Sequence, residues 1–186
     1  MLETNDLLID TLFNNLSDKS FVKIELLLTK HPFIKRVFEK PSSSTNKYHV
    51  RKDGSIQTIG EHTYEMLLTT LKLISMFKVE LKTKESNTIL LSIFLHDILK
   101  YGLKCDTKHT LKDHDIRCVE FITTLKNDIF TDDIVYFDKL VDAIKYHSGR
   151  WSTTFSKEKN SLNDLSSLTL FTHIIDMLST KDCLRI

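Results

Sequence analysis

Turn-forming residues are scarce in this chain, which has four glycines and two prolines among 186 residues. That is about 3% where ordinary usage gives roughly 12%. A β-sandwich or barrel has too little punctuation to be built from such a composition, so the fold is expected to be mostly helical. The three cysteines, Cys105, Cys118 and Cys183, form no CxxC pair. Their odd number argues against a disulfide framework and for reduced thiols that serve as packing residues in a cytoplasmic protein. Charge of one sign is also lacking: 26 Lys and Arg face 25 Asp and Glu, a net of +1. Such a balance excludes the broad positive field needed to coat duplex nucleic acid. No stretch reaches the ~18 uninterrupted apolar residues of a membrane span, and acids interrupt the apolar residues from Met1 to Asp10. What is present, 41% apolar and 9% aromatic residues, suffices for one buried core.

Apolar periodicity sets out the organisation. Leu7, Leu8, Leu12, Phe13 and Leu16 recur at helical spacing, and Phe21, Ile24, Leu27 and Leu28 form a second run that closes at His31 and Pro32. A short apolar stretch, Phe33, Ile34, Val37 and Phe38, leads to Pro41 and a polar segment from Ser42 to Asn46 that reads as a loop. Tyr48 to Gly60 reads as an irregular loop or small hairpin around Asp53 and Gly54. Helical pattern returns with His62, Met66, Leu67, Leu71, Ile74 and Phe77. From Asn87 to Lys100 apolar residues surround the helix almost completely, the mark of a buried helix. Runs at Ile116 to Leu125, Ile134 to Tyr146 and Leu165 to Leu178 bring the total to about seven helices. The expectation is a single-domain, all-α orthogonal bundle, with residues 1–40 as N-terminal helices packed on a core of residues 41–186. There is no βα alternation and no glycine-rich phosphate loop.

The most informative feature is His96-Asp97, set in the most hydrophobic segment of the chain. Burying a carboxylate beside an imidazole costs several kcal/mol unless something positive compensates it. A bound cation is the simplest compensation; the plainer alternative is a pair at a helix end, hydrogen-bonded to neighbouring loops. Other helical segments each offer one further ligand type: His62 and His114 near helix starts, His147 at a helix end, and Asp176 amid Leu170, Phe171, Ile174 and Ile175. Neutral imidazole and carboxylate suit Zn, Mn, Fe and similar divalent ions.

The order His62, His96-Asp97, Asp176 resembles the H…HD…D signature of the HD-domain superfamily of metal-dependent phosphohydrolases, which are all-α bundles. FLHDILKYG (Phe94 to Gly102) is similar to the HDIGK-type stretch, with Leu99 where glycine is common. HDIRCVEFI (His114 to Ile122) resembles the HPxxGAxIL-type helix, with Cys118 in place of glycine. AIKYHSGRW (Ala143 to Trp151) resembles the IxxHHGxW-type segment, with Ser148 in place of the second histidine, and LTLFTHIIDMLSTKD (Leu168 to Asp182) resembles the closing helix. Upstream, KPSSSTNKYHVRKDGSIQTIGEHT (Lys40 to Thr63) is more loosely similar to the PAS…H…GG…EHS stretch of HD hydrolases that include 3′-5′ exoribonucleases and phage proteins; the paired glycines are absent.

The resemblance implies His62, His96, Asp97 and Asp176 as ligands of one divalent ion. It also implies His114 and His147 as ligands of a second, with Asp97 bridging; the ion can be Mn, Fe, Co, Ni, Zn or Mg. Lys100, one turn beyond His96, is the catalytic candidate beside Asp97 and a substrate-binding one for phosphate oxygens. Arg150 is a candidate for a bidentate phosphate contact and Trp151 for stacking on a base, while His49 and His109 can reach substrate from loops. His173 is a candidate to orient a ligand. The expected activity is hydrolysis of a phosphoester or phosphoanhydride in a nucleotide or other phosphorylated small molecule. A 3′-5′ nuclease or cyclic-nucleotide phosphodiesterase acting on a short single-stranded partner is one alternative, and a non-catalytic nucleotide-sensing module is the other.

Overall fold

The computed structural model describes residues 4–44, 49–51 and 53–180. Nine α-helices are present among them: α1 (Thr4–Asn15), α2 (Asp18–Lys30), α3 (Phe33–Phe38), α4 (Ile59–Met76), α5 (Lys84–Leu95), α6 (His114–Thr124), α7 (Phe137–Tyr146), α8 (Thr153–Glu158) and α9 (Ser167–Ser179). The described residues contain no β-strand, only isolated bridges at Pro41 with Thr58 and Val50 with Ile56. The fold is therefore all-α, with two more helices than periodicity suggested. The additions are α3 and α8, each six residues long, too short for an apolar stripe to repeat. None of the described helices is long and apolar enough to cross a membrane.

A second correction concerns α5. The expected helix ran through Lys100, but regular α-helix stops at Leu95 and His96 is its C-cap. Beyond it the chain tightens into turns in which Lys100 N–H donates to the Asp97 carbonyl and Gly102 N–H to that of Leu99. His96 and Asp97, at the start of these turns, are both buried.

Helices α4, α5, α7 and α9 form the centre. α7 packs against α5, α6 and α9, and α4 against α1, α3, α5 and α9. One apolar cluster, with Leu8, Leu12, Ile34, Leu91, Phe94 and Ile144 among its members, joins the N-terminal helices to the rest. Close approach of α3 and α4 depends on Gly60, because a Cβ there would lie 2.9 Å from the Phe38 carbonyl oxygen. Cys105 and Cys118 are buried in this core, as their reading as packing residues expects; Cys183 lies outside the described residues.

Candidate metal centre and substrate cavity

Each histidine is delivered by a local device. Thr58 caps α4: its hydroxyl accepts from Glu61 N–H while Glu61 accepts from Thr58 N–H, a capping box that fixes the helix start one turn before His62. The preceding segment folds over this start. Arg51 pairs with Glu61 at 2.8 Å, Gln57 N–H donates to the His49 carbonyl, and Ser42 donates to that of Gln57 through both N–H and Oγ. His49 is thereby held in the left-handed region at φ 59°, its ring centroid 4.5 Å from that of His62. His114 begins α6 and His147 caps the C-terminal end of α7.

Three of the rings share one hydrogen-bonding pattern. His96 Nδ1 lies 2.7 Å from the Ile93 carbonyl oxygen, His114 Nδ1 2.8 Å from that of Leu111, and His147 Nδ1 2.7 Å from that of Ile144. A carbonyl only accepts, so each Nδ1 carries a proton, and in the Nδ1–H tautomer each ring presents Nε2 as a lone pair. Those lone pairs converge. His114 Nε2 and His147 Nε2 are 3.3 Å apart; Asp97 Oδ1 is 3.1 Å from the first and 3.6 Å from the second. Buried Asp97 Oδ1 and His96 Nε2 have no hydrogen-bond partner. Ser148 Oγ lies 3.0 Å from His147 Nε2. His62 stands between Ser179 Oγ, 3.0 Å from its Nδ1, and Asp176 Oδ1, 3.0 Å from its Nε2.

Acceptor atoms facing one another repel unless a donor or a cation lies among them. Ligand atoms of His62, His96 and Asp176 lie within 4.8 Å of one another, as do those of His96, Asp97 and His147. A divalent ion roughly 2.0–2.2 Å from N and O ligands holds adjacent ligands roughly 3.0–3.5 Å apart, which suits the triangle made by Asp97, His114 and His147. The residues present thus fit a divalent ion.

Burial alone would raise the Asp97 pKa, but the Lys100 ammonium, 2.5 Å from Oδ2, holds this carboxylate well below its usual range. Burial likewise opposes ionisation of Asp176, and His62 overrides it, so Asp176 is also lowered. For the histidines burial dominates: His62 is lowered, and His49 is pushed down to about 3. Both are neutral, the form that ligates a cation or accepts a hydrogen bond.

A cavity of about 420 Å³ opens over the cluster, lined by His49, His147 and Asp176 below, and by Lys100, Lys112, Thr110, Ser42 to Ser44, Ser148, Trp151, Met177 and Thr180 around them. Its volume is in the range of small-molecule sites. The structure brings His49, His62, His96, Asp97, Lys100, His114, His147, Trp151 and Asp176 to this one place. It does not bring His109 there, which is exposed in the α5–α6 connection, nor does Arg150 line the cavity although it is exposed beside Trp151. The Trp151 side chain is 64% exposed.

Sequence reasoning singled out His173 as a candidate to orient a ligand and missed the other supports of the His147 turn. His173 Nδ1–H donates to the His147 carbonyl at 2.7 Å, and its ring occupies the space above Gly149, where a Cβ would lie 2.4 Å from Cε1. Gly149 is also at φ 51°, a conformation that favours glycine. From the other side, buried Asp115 accepts a short hydrogen bond from Ser152 Oγ, and Ser152 caps α8. The adjacency of Asp115 to His114 and of Ser152 to Trp151 was the available signal.

Comparison with curated proteins and with solved structures found no match. The HD domain family model matches residues 59–181, a span that runs from the start of α4, three residues before His62, past Asp176. On that match, this all-helical chain with its converging histidines and aspartates belongs to the HD-domain family.

Proposed function

We propose that this HD-domain protein is a metal-dependent hydrolase of phosphoester or phosphoanhydride bonds in a nucleotide or related small molecule. The observation that carries the reading is the convergence of three imidazole Nε2 atoms on one buried carboxylate, those of His114 and His147 3.1 and 3.6 Å from Asp97 Oδ1 and that of His96 3.4 Å from Oδ2. His62, His96, Asp97 and Asp176 are proposed to hold one ion, and Asp97, His114 and His147 a second. When bound, divalent ions supply Lewis acidity toward phosphoryl oxygens and lower the pKa of water to near neutrality.

The chain's own residues supply the rest. Backbone carbonyls of Ile93, Leu111 and Ile144 fix the imidazole tautomers, so no proton has to leave these rings before they ligate. Lys100 keeps Asp97 ionised and, since it also lines the cavity, lies where its ammonium can hold a non-bridging phosphate oxygen. His49, neutral and part of the cavity lining, offers substrate a hydrogen-bonding group. Trp151 presents its ring at the mouth for a base.

A longer substrate is the second reading, favoured by one observation: Trp151 and the neighbouring Arg150 are exposed, so a strand whose end enters the cavity can continue past them. A screen of nucleoside mono-, di- and triphosphates, cyclic nucleotides and short oligonucleotides, with and without EDTA, tests both. Chelator-sensitive cleavage of mononucleotides alone supports the first reading, and shortening of oligomers from the 3′ end supports the second. Nucleotide binding without turnover contradicts both and favours a sensing module. His114→Ala and His147→Ala are expected to lower the metal stoichiometry, and unchanged metal content in both would reduce the centre to one ion.

A further inference from the structure

One wall of the cavity is built of hydrogen-bond donors. Thr110 and Lys112 flank Leu111, whose N–H donates to the Lys100 carbonyl at 2.8 Å and whose own carbonyl accepts from His114 Nδ1 at 2.8 Å. This backbone anchor holds both side chains beside the histidine cluster. Across the same wall Ser44 Oγ is 3.0 Å from Thr110 Oγ1. A single proton satisfies that contact, so the other hydroxyl proton of the pair is available to a ligand.

The charges on this wall are uneven. Lys100 is already paired with Asp97, whereas Lys112 lines the cavity with no ion-pair partner among the described residues. The neighbouring Asp113 is engaged by Arg117 at 2.9 Å. Of the residues lining the cavity only Asp176 carries a carboxylate, and it sits with His62 in the floor. An ammonium and a free hydroxyl proton, with no carboxylate on their side, favour an anion.

We infer that Lys112, with Thr110 and Ser44, forms a subsite for a second phosphoryl group, so that the preferred substrate carries two phosphoryl groups, one over the histidine cluster and one on this wall. The inference rests on the phosphohydrolase reading and names its substrate class. Two sources share that chemistry, a nucleoside diphosphate or higher and a 5′-phosphorylated dinucleotide.

Trp151 is the sole tryptophan of the chain and lies at the cavity mouth, so its fluorescence reports binding without turnover. Stopped-flow titration of the metal-loaded protein with AMP, ADP and the 5′-phosphorylated dinucleotide pApA, read before hydrolysis, is expected to show ADP or pApA binding more tightly than AMP. Whichever of the two binds more tightly identifies the source. Lys112→Ala should reduce that advantage over AMP by about fivefold, the upper size of a charge contact at an exposed site, and Lys112→Arg should restore part of it. Circular dichroism checks that the substitution leaves the fold in place. Absence of a preference for two phosphates, whether because neither nucleotide changes the signal or because all change it alike, overturns the subsite, as does a preference that Lys112→Ala leaves intact. Loss of metal dependence in turnover with the preference preserved overturns the phosphohydrolase reading instead.

Discussion

Phe94 and His96 are two residues apart and both wholly buried, yet their burial has opposite consequences. Phe94 packs against Phe38 with ring centroids 5.4 Å apart and needs no partner, since removing its surface from water is favourable in itself. His96 is buried with Nε2 lacking a partner, beside an Asp97 oxygen in the same state, and such groups cost free energy until something compensates them. Apolar burial stabilises this molecule unaided, whereas the buried polar cluster calls for a compensating partner, which the proposed function supplies as a cation. The region that stabilises the fold and the region proposed to perform chemistry are thus separated by a single turn of chain.

Substitutions on the two sides should separate stability from activity. The largest effect is expected from Asp97→Ala, which should abolish turnover and lower the bound metal while circular dichroism shows an intact fold. Retained turnover would remove Asp97 from the centre. Phe94→Ala should do the reverse, lowering the unfolding free energy in urea by about 3–5 kcal/mol with metal stoichiometry unchanged in the fraction that remains folded. Loss of metal ahead of loss of stability would show that the two regions are not separable.

Lys100→Ala should keep its metal and lose roughly 10²–10³ in rate, the scale of a preorganised electrostatic contact in a transition state, and Lys100→Arg should recover only part of it because guanidinium differs in shape from ammonium. The parental rate in Lys100→Ala would make this residue merely a partner of Asp97. The smallest effect is expected from Gly149→Ala. A Cβ at φ 51° must displace the His173 ring, which should cost about 1–3 kcal/mol of stability and weaken nucleotide binding at Trp151 more than metal binding. Metal loss before any change in nucleotide affinity would place the strain at His147 instead.

Legibility followed the same division. Long amphipathic runs such as Leu7 to Leu16 and the apolar stretch of α5 were readable because a repeated stripe reports the face that is buried. The six-residue helices α3 and α8 were not, since fewer than two turns carry no period. His96-Asp97 was recognisable as an anomaly in an apolar setting, but the end of α5 at Leu95 was not, because no glycine or proline marks it; the change to tighter turns is seen only in the hydrogen bonds beyond it. At the site, imidazoles and carboxylates announced themselves by residue type. Ser44, Thr110, Ser148 and Ser179 did not, because hydroxyl residues are common and their role depends on which loop folds against which. His109 and Arg150 carry suitable chemistry, and only the paths of their loops leave them outside the cavity.

Metal content per chain tests the central claim most directly. Elemental analysis of protein purified without chelator should find two divalent transition-metal ions per chain, with turnover lost on EDTA treatment and restored when metal is added back. Protein that contains no metal and hydrolyses its best substrate at full rate in EDTA would contradict the account.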